Sequence, residues 1–391
     1  MTHTIHEIFT SDLAIGTTLP FDLRDPFGHI VHKAGLPVTE RLLERLKAMG
    51  VTSVTVRGES SQAAIEEVFE SFFDSERLQL IATKLEEGID CLSRAIEAVV
   101  QGHEIEPRLM VDCVESFVDQ AALDTSALLA VVLHRRLSVD AQTVRAISER
   151  SASLACLSTT IAYSMGLSRE VIVRTGLTSM LSDISMGKHS EWFDEKKFLL
   201  GSAVRTENYR NHPVESGRIL HQLKAFDNQL IDCVSQTHEL ADGTGFPYGL
   251  KAEETSIESR ITSMCEIYLS LSSPLFSETP FLESDSLAYL IHQMTFGHID
   301  RTILRALIKS LSMFPVGSLV RLDDDKLAVV VQPNSANPFQ PIVKLYETGG
   351  KVRDLSISNN QIVGPAGEAT QKRRRIAKAL LDQTLWIPSD V

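Results

Sequence analysis

Leu78, Ile81, Leu85, Ile89, Leu92, Ile96 and Val99 recur at intervals of three and four residues. That spacing stacks seven apolar side chains along one face of an α-helix, whereas a strand would scatter them over both faces. The stripe runs through three heptads and has to be covered along its whole length. Two arrangements cover it: the same helix of a second copy in a symmetric homodimer, or the helix's own domain. The helical period returns at 108–136, 141–165, 168–182, 203–223, 227–239, 257–273 and 284–312. The spacing predicts a chain dominated by packed helices from residue 62 to residue 312.

The flanks follow another period. In the first, "LAIGTTLPFDLRD" and "GHIVHKAGL" read as paired strands joined near Asp25-Pro26. "PVTERLLERLKAMG" reads as a helix capped by Thr39 and stopped by Gly50, and "VTSVTV" as a returning β-branched strand. After Phe314-Pro315, "GSLVRLDDDKLAVVVQP" reads as a hairpin around Asp323–Asp325, with strands to follow in "QPIVKLYE" and "KVRDLSI". The fold class expected is mainly α: a helical bundle with a small N-terminal α/β domain and a short C-terminal β-rich element. The boundaries fall at 1–60 for the α/β domain, 62–125 for connecting helices, 126–314 for the bundle and 315–362 for the β-rich element. A basic tail, "QKRRRIAKALLDQ", lies within 363–391 and reads as a solvated helix face or a contact for a partner or a phosphate.

A net charge of −13 argues against non-specific nucleic-acid binding, which needs a basic surface, but leaves room for one small phosphorylated ligand in a local pocket. The five cysteines are scattered, without a C-x-x-C pair, which suits a reducing compartment. No signal peptide and no membrane span is read, so the expected place is the cytoplasm.

The chemistry is concentrated in an ordered series of short motifs. "HELADGTGFPYGL" places a His-Glu pair, His238-Glu239, before a turn built on Asp242, Gly243, Gly245, Phe246 and Pro247. Upstream stand "SLACLSTTIAYSMGLSRE", "TSMLSDISMGK" and "NHPVESGRIL"; downstream stands "SRITSMCEIYLSLSSP". Taken in order, the series resembles the HD-GYP family, the cyclic-di-GMP phosphodiesterase branch of the HD phosphohydrolases. The resemblance covers roughly residues 126–360, and the small N-terminal domain is similar to one common in such proteins.

That resemblance implies metal-assisted phosphodiester hydrolysis, with clustered ions generating hydroxide and offsetting developing charge. The retained ligand candidates are Asp183, His212 and His238, with Glu266 standing for an aspartate. Arg150, Ser182 and Thr237 stand where the family carries histidines. Met186 replaces a lysine, with Lys188 two residues on, and the stretch 270–278 has no cation for phosphates. In the GYP-like loop Phe246 keeps the ring of the tyrosine and drops its hydroxyl. A full di-metal centre is therefore not expected, and at most one weakly bound divalent ion such as iron or manganese.

Structural roles compete for the same residues. Asp183 could cap or pair with Lys188 or Arg150, and His212 could be satisfied by backbone at a helix start. His238 and Glu239 could brace the loop, and the loop residues could be turn chemistry alone. Three readings result: a degenerate HD-GYP domain acting through protein partners or nucleotide sensing, an active cyclic-di-GMP phosphodiesterase with a reduced ligand set, or a hydrolase of a smaller nucleotide.

Overall fold

The computed structural model describes residues 5–10, 13, 15–16, 23–24, 29–33, 36–51, 53–57, 68–69, 71–134, 144–189, 207–224, 226–273, 280–346 and 350–366. The chain divides between residues 68 and 69 into two compact units. The first holds β1 (Ile5–Phe9), β2 (Leu23–Arg24), β3 (Ile30–His32), α1 (Glu40–Ala48) and β4 (Ser53–Arg57). Its sheet runs β1-β4-β2-β3 with antiparallel pairing throughout. Thr39 caps α1 by accepting from the Leu42 amide, and Leu42 and Leu46 turn into a core with Leu23, Val38 and Val54. The sequence shows no sign of β1, a five-residue strand in which one histidine and one glutamate break any apolar run.

The second unit opens with α2 (Ser75–Gln101), which carries the stripe. Ile81, Leu85, Ile89, Leu92, Ile96 and Val99 are buried and Leu78 is half-buried. They face α3 (Pro107–Leu123), α4 (Thr125–His134) and α5 (Val144–Ser164) of the same chain. The stripe is therefore consumed inside its own unit, and the dimer it suggested loses its motive.

Three of the expected helical segments, 108–136, 203–223 and 284–312, prove to be two helices each. Asp124 adopts an extended conformation after α3, and its carboxylate accepts from the Ala127 amide to start α4. Farther on, α11 (Glu283–Thr295) stops before Gly297, whose φ of +86° suits only glycine, and Asp300 caps α12 (Arg301–Leu311) through the Thr302 and Ile303 amides. Apolar period alone carries through such breaks because both helices face one core.

Between these lie α6 (Arg169–Leu181), a 3-10 turn (Ile184–Lys188), α7 (Glu207–Arg210), α8 (His212–Leu223), α9 (Asn228–Ser235) and α10 (Ile257–Ser272). The chain closes on β5 (Leu319–Leu322), β6 (Leu327–Gln332), β7 (Ile342–Leu345), β8 (Val352–Asp354) and β9 (Ile362–Pro365), in the order β8-β7-β6-β5-β9. The hairpin at Asp323–Asp325 forms as expected, while β9 extends the sheet past residue 362 by pairing with β5. The reading of the basic tail lies outside the described residues, as do residues 274–278 of the cation-free stretch. Among the described residues, no helix is long and apolar enough to cross a membrane.

Candidate metal centre

Three elements converge on one point. Asp183 follows α6 at the start of the 3-10 turn, His212 is the first residue of α8, and His238 comes shortly after α9. One ligand atom from each lies within 4.8 Å of the others. His212 Nε2 stands 3.3 Å from Asp183 Oδ1 and 3.1 Å from His238 Nε2. On the far side of the ring, His212 Nδ1 is 2.6 Å from the Tyr209 carbonyl, which can only accept. Nδ1 therefore holds the proton, and the Nε2 lone pair is aimed at a carboxylate and a second imidazole. Such a meeting needs a positive centre, either a proton or a metal ion, and a backbone carbonyl orienting the outer ring nitrogen is the usual support of a metal-binding histidine. Two imidazoles and one carboxylate suit a single iron, manganese or similar ion.

The trio is closed off: Asp183, His212 and His238 are 8%, 0% and 7% exposed. Burial works to raise the Asp183 carboxyl, but the hydrogen bond and charge of His212, with His238 and Arg150, outweigh it and hold it below the usual range. Burial, the neighbouring His212 and Arg150 push His238 down to about 3 against the pull of Asp183. Asp183 makes no cap hydrogen bond, so the capping role open in the sequence is not the one it takes; its partner is His212 rather than Lys188, which is exposed.

Glu266 does not join the trio. Its Oε1 accepts from Arg150 Nη2 at 2.6 Å and from the Ser270 hydroxyl at 3.1 Å. Arg150 also donates to Ser270 Oγ at 2.5 Å and to the Glu266 and Ser273 carbonyls at 3.2 and 2.9 Å. The guanidinium is thus bound on both arms, and its charge still acts on Asp183 and His238. The Glu266 Oε2 atom is buried with no hydrogen-bond partner among the described residues. The Ser182 and Thr237 hydroxyls donate to the Ser179 and Val234 carbonyls of their own turns.

The loop from His238 explains its own letters. The Phe246 ring stacks on His238 at 4.7 Å and 12°. Glu239 accepts from the Tyr248 and Leu250 amides at 2.7 and 2.9 Å, tying down the far side. Asp242 accepts from the amide and hydroxyl of Thr244 and pairs with His298 at 2.9 Å. A Cβ on Gly245 would lie 2.3 Å from the Leu240 amide nitrogen and 2.5 Å from the His238 carbonyl, so no other residue fits there without moving backbone. Gly243 and the Phe246-Pro247 peptide complete the turn.

Sequence reasoning missed Tyr209. Its ring is 4.8 Å from that of His212 and 6.3 Å from that of His238, and the charges of Asp183, Glu266 and Arg150 all act on its hydroxyl. Its place three residues before His212, one helical turn away, was the only available signal.

The HD domain family matches residues 141–303, the segment that carries every one of these side chains. Cyclic di-GMP phosphodiesterase PA4108 of Pseudomonas aeruginosa is 27% identical over 271 residues, 65% of this chain and 61% of that protein. Cyclic di-GMP phosphodiesterase PdeB of Borreliella burgdorferi is 26% identical over 204 residues, 52% of this chain and 53% of that protein. The chain carries an HD domain and resembles the HD-GYP family. It spans less than two thirds of the length of either curated relative. Among solved structures, Bd1817, an HDG"Y"P protein from Bdellovibrio bacteriovorus, is similar with a TM-score of 0.49 at 16% identity, covering 78% of this chain and 98% of that one.

Proposed function

We propose that this HD-GYP-like protein serves cyclic-di-GMP signalling without hydrolysing the dinucleotide, and acts by engaging a protein partner or by sensing the nucleotide. The observation that supports the reading is the buried Arg150–Glu266 ion pair, which commits a candidate ligand to a permanent cation. The donor set fits one ion at Asp183, His212 and His238 and leaves no free donor from Glu266 Oε1 for a second. A bound ion there would polarise water and a phosphoryl oxygen. The chain's own part is then limited: Asp183, His212 and His238 would hold the ion, the Tyr209 carbonyl would fix the His212 ring, and Phe246 would fix His238. The Ser182 and Thr237 hydroxyls, bonded within their own turns, are no substitutes for imidazole. A cytoplasmic place is part of the proposal and agrees with five free thiols.

The intact trio favours a second reading, an active phosphodiesterase with a reduced ligand set. Incubation of the purified protein with cyclic di-GMP in excess ferrous iron or manganese separates the two. The expected result is no linear or mononucleotide product. Steady turnover that disappears in Asp183→Ala would establish the second reading in place of the first.

A further inference from the structure

We infer that Arg150 is a resident cation that takes the place of a second metal ion and sets the metal capacity of the site at one per chain. The inference rests on the reading of Asp183, His212 and His238 as a residual metal site. Three observations carry it. Arg150 does what a bound cation would do for Glu266, neutralising its carboxylate at 2.6 Å inside the protein. It is anchored by the Ser273 and Glu266 carbonyls and by Ser270, so the charge is fixed in place rather than free to swing out to solvent. It is 4% exposed and lies in the same compact unit as the trio, so an ion held by Asp183, His212 and His238 shares the protein interior with a fixed positive charge.

Glu266 shows the other side of the exchange. One oxygen is spent on Arg150 and Ser270, while the other is buried and unpartnered among the described residues. A buried carboxylate with an idle oxygen is short of a donor, and a metal ion or the arm of a second cation would supply it. Replacing the guanidinium by an imidazole would remove the fixed charge, free Glu266 Oε1 from its ion pair and add a nitrogen ligand. One substitution then changes the capacity of the centre rather than its affinity alone.

The test loads wild-type protein, Arg150→His and Arg150→Gln with manganese and reads metal per chain by elemental analysis, with electron paramagnetic resonance to separate isolated from exchange-coupled ions. Wild type is expected to hold at most one isolated ion. Arg150→His is expected to take up a second and to show a coupled signal. Arg150→Gln keeps hydrogen-bond donors near Glu266 without the charge, and should bind its ion at least about tenfold more tightly than wild type. Two coupled ions in wild type would overturn the inference, as would an Arg150→His protein that unfolds cooperatively yet binds no more metal than wild type. If Arg150→His does not fold, Arg150→Gln decides, and unchanged affinity there overturns it. Hydrolysis of cyclic di-GMP by wild type holding one ion would refute the proposed function and leave the role of Arg150 standing.

Discussion

His238 meets two demands with one ring: Nε2 faces His212, and the ring face lies against Phe246. Burial, with His212 and Arg150 beside it, pushes its pKa from 6.5 down to about 3. The unfolded chain therefore takes up a proton between about pH 6.5 and 3 that the fold refuses, so stability falls as the solution is acidified through that window. Asp183 acts in the same direction lower down: its depressed pKa contributes stability above its ordinary value of 3.8 that is lost as the pH falls further. In chelator, unfolding free energies from urea titrations between pH 7 and pH 4 should fall by up to about 1.4 kcal/mol per pH unit from His238 alone. His238→Gln should flatten that slope, and an equal slope in the variant would contradict the assignment. Gly245 sets a different limit. Gly245→Ala puts a methyl group into the Leu240 and His238 backbone, and should cost about 1–3 kcal/mol in chemical unfolding. A neutral result there would mean that the loop can shift as a body.

At the scale of elements, the breaks between helices matter more than the helices. Asp124 and Asp300 each end one apolar-periodic run and start the next helix through backbone amides. Asp300 also pairs with Arg260 of α10 at 2.6 Å, joining the start of α12 to the helix that carries Glu266. Asp124→Ala should lower stability by about 1 kcal/mol by removing a cap. Asp300→Ala, which breaks both contacts, should cost more than Asp124→Ala under the same thermal scan, and the reverse order would show that the Arg260 pair adds nothing. Both signals were present in the sequence as an aspartate inside an apolar run. The apolar face continues in register on either side of each, so the period alone does not mark the break.

For the molecule as a whole, the stripe on α2 was legible as a buried surface, but its partner was not. Spacing says that a face is apolar; only the packing of α3, α4 and α5 shows that it is covered from within. Leu85→Ala should therefore reduce stability by about 2–5 kcal/mol and leave the oligomeric state seen by light scattering unchanged. The meeting of Asp183, His212 and His238 was legible from motif order. The diversion of Glu266 was not, because the pairing of residues 116 positions apart depends on how α5 lies beside α10. Tyr209 escaped for a similar reason: an aromatic letter in a polar run has no period to betray it. The contact at Gly245 has a wider consequence. It sets backbone against backbone, so it presses on the letter at 245 whatever stands at 150, and a catalogue keyed to the D-G-x-G-x-P string would gather hydrolases and non-hydrolases alike.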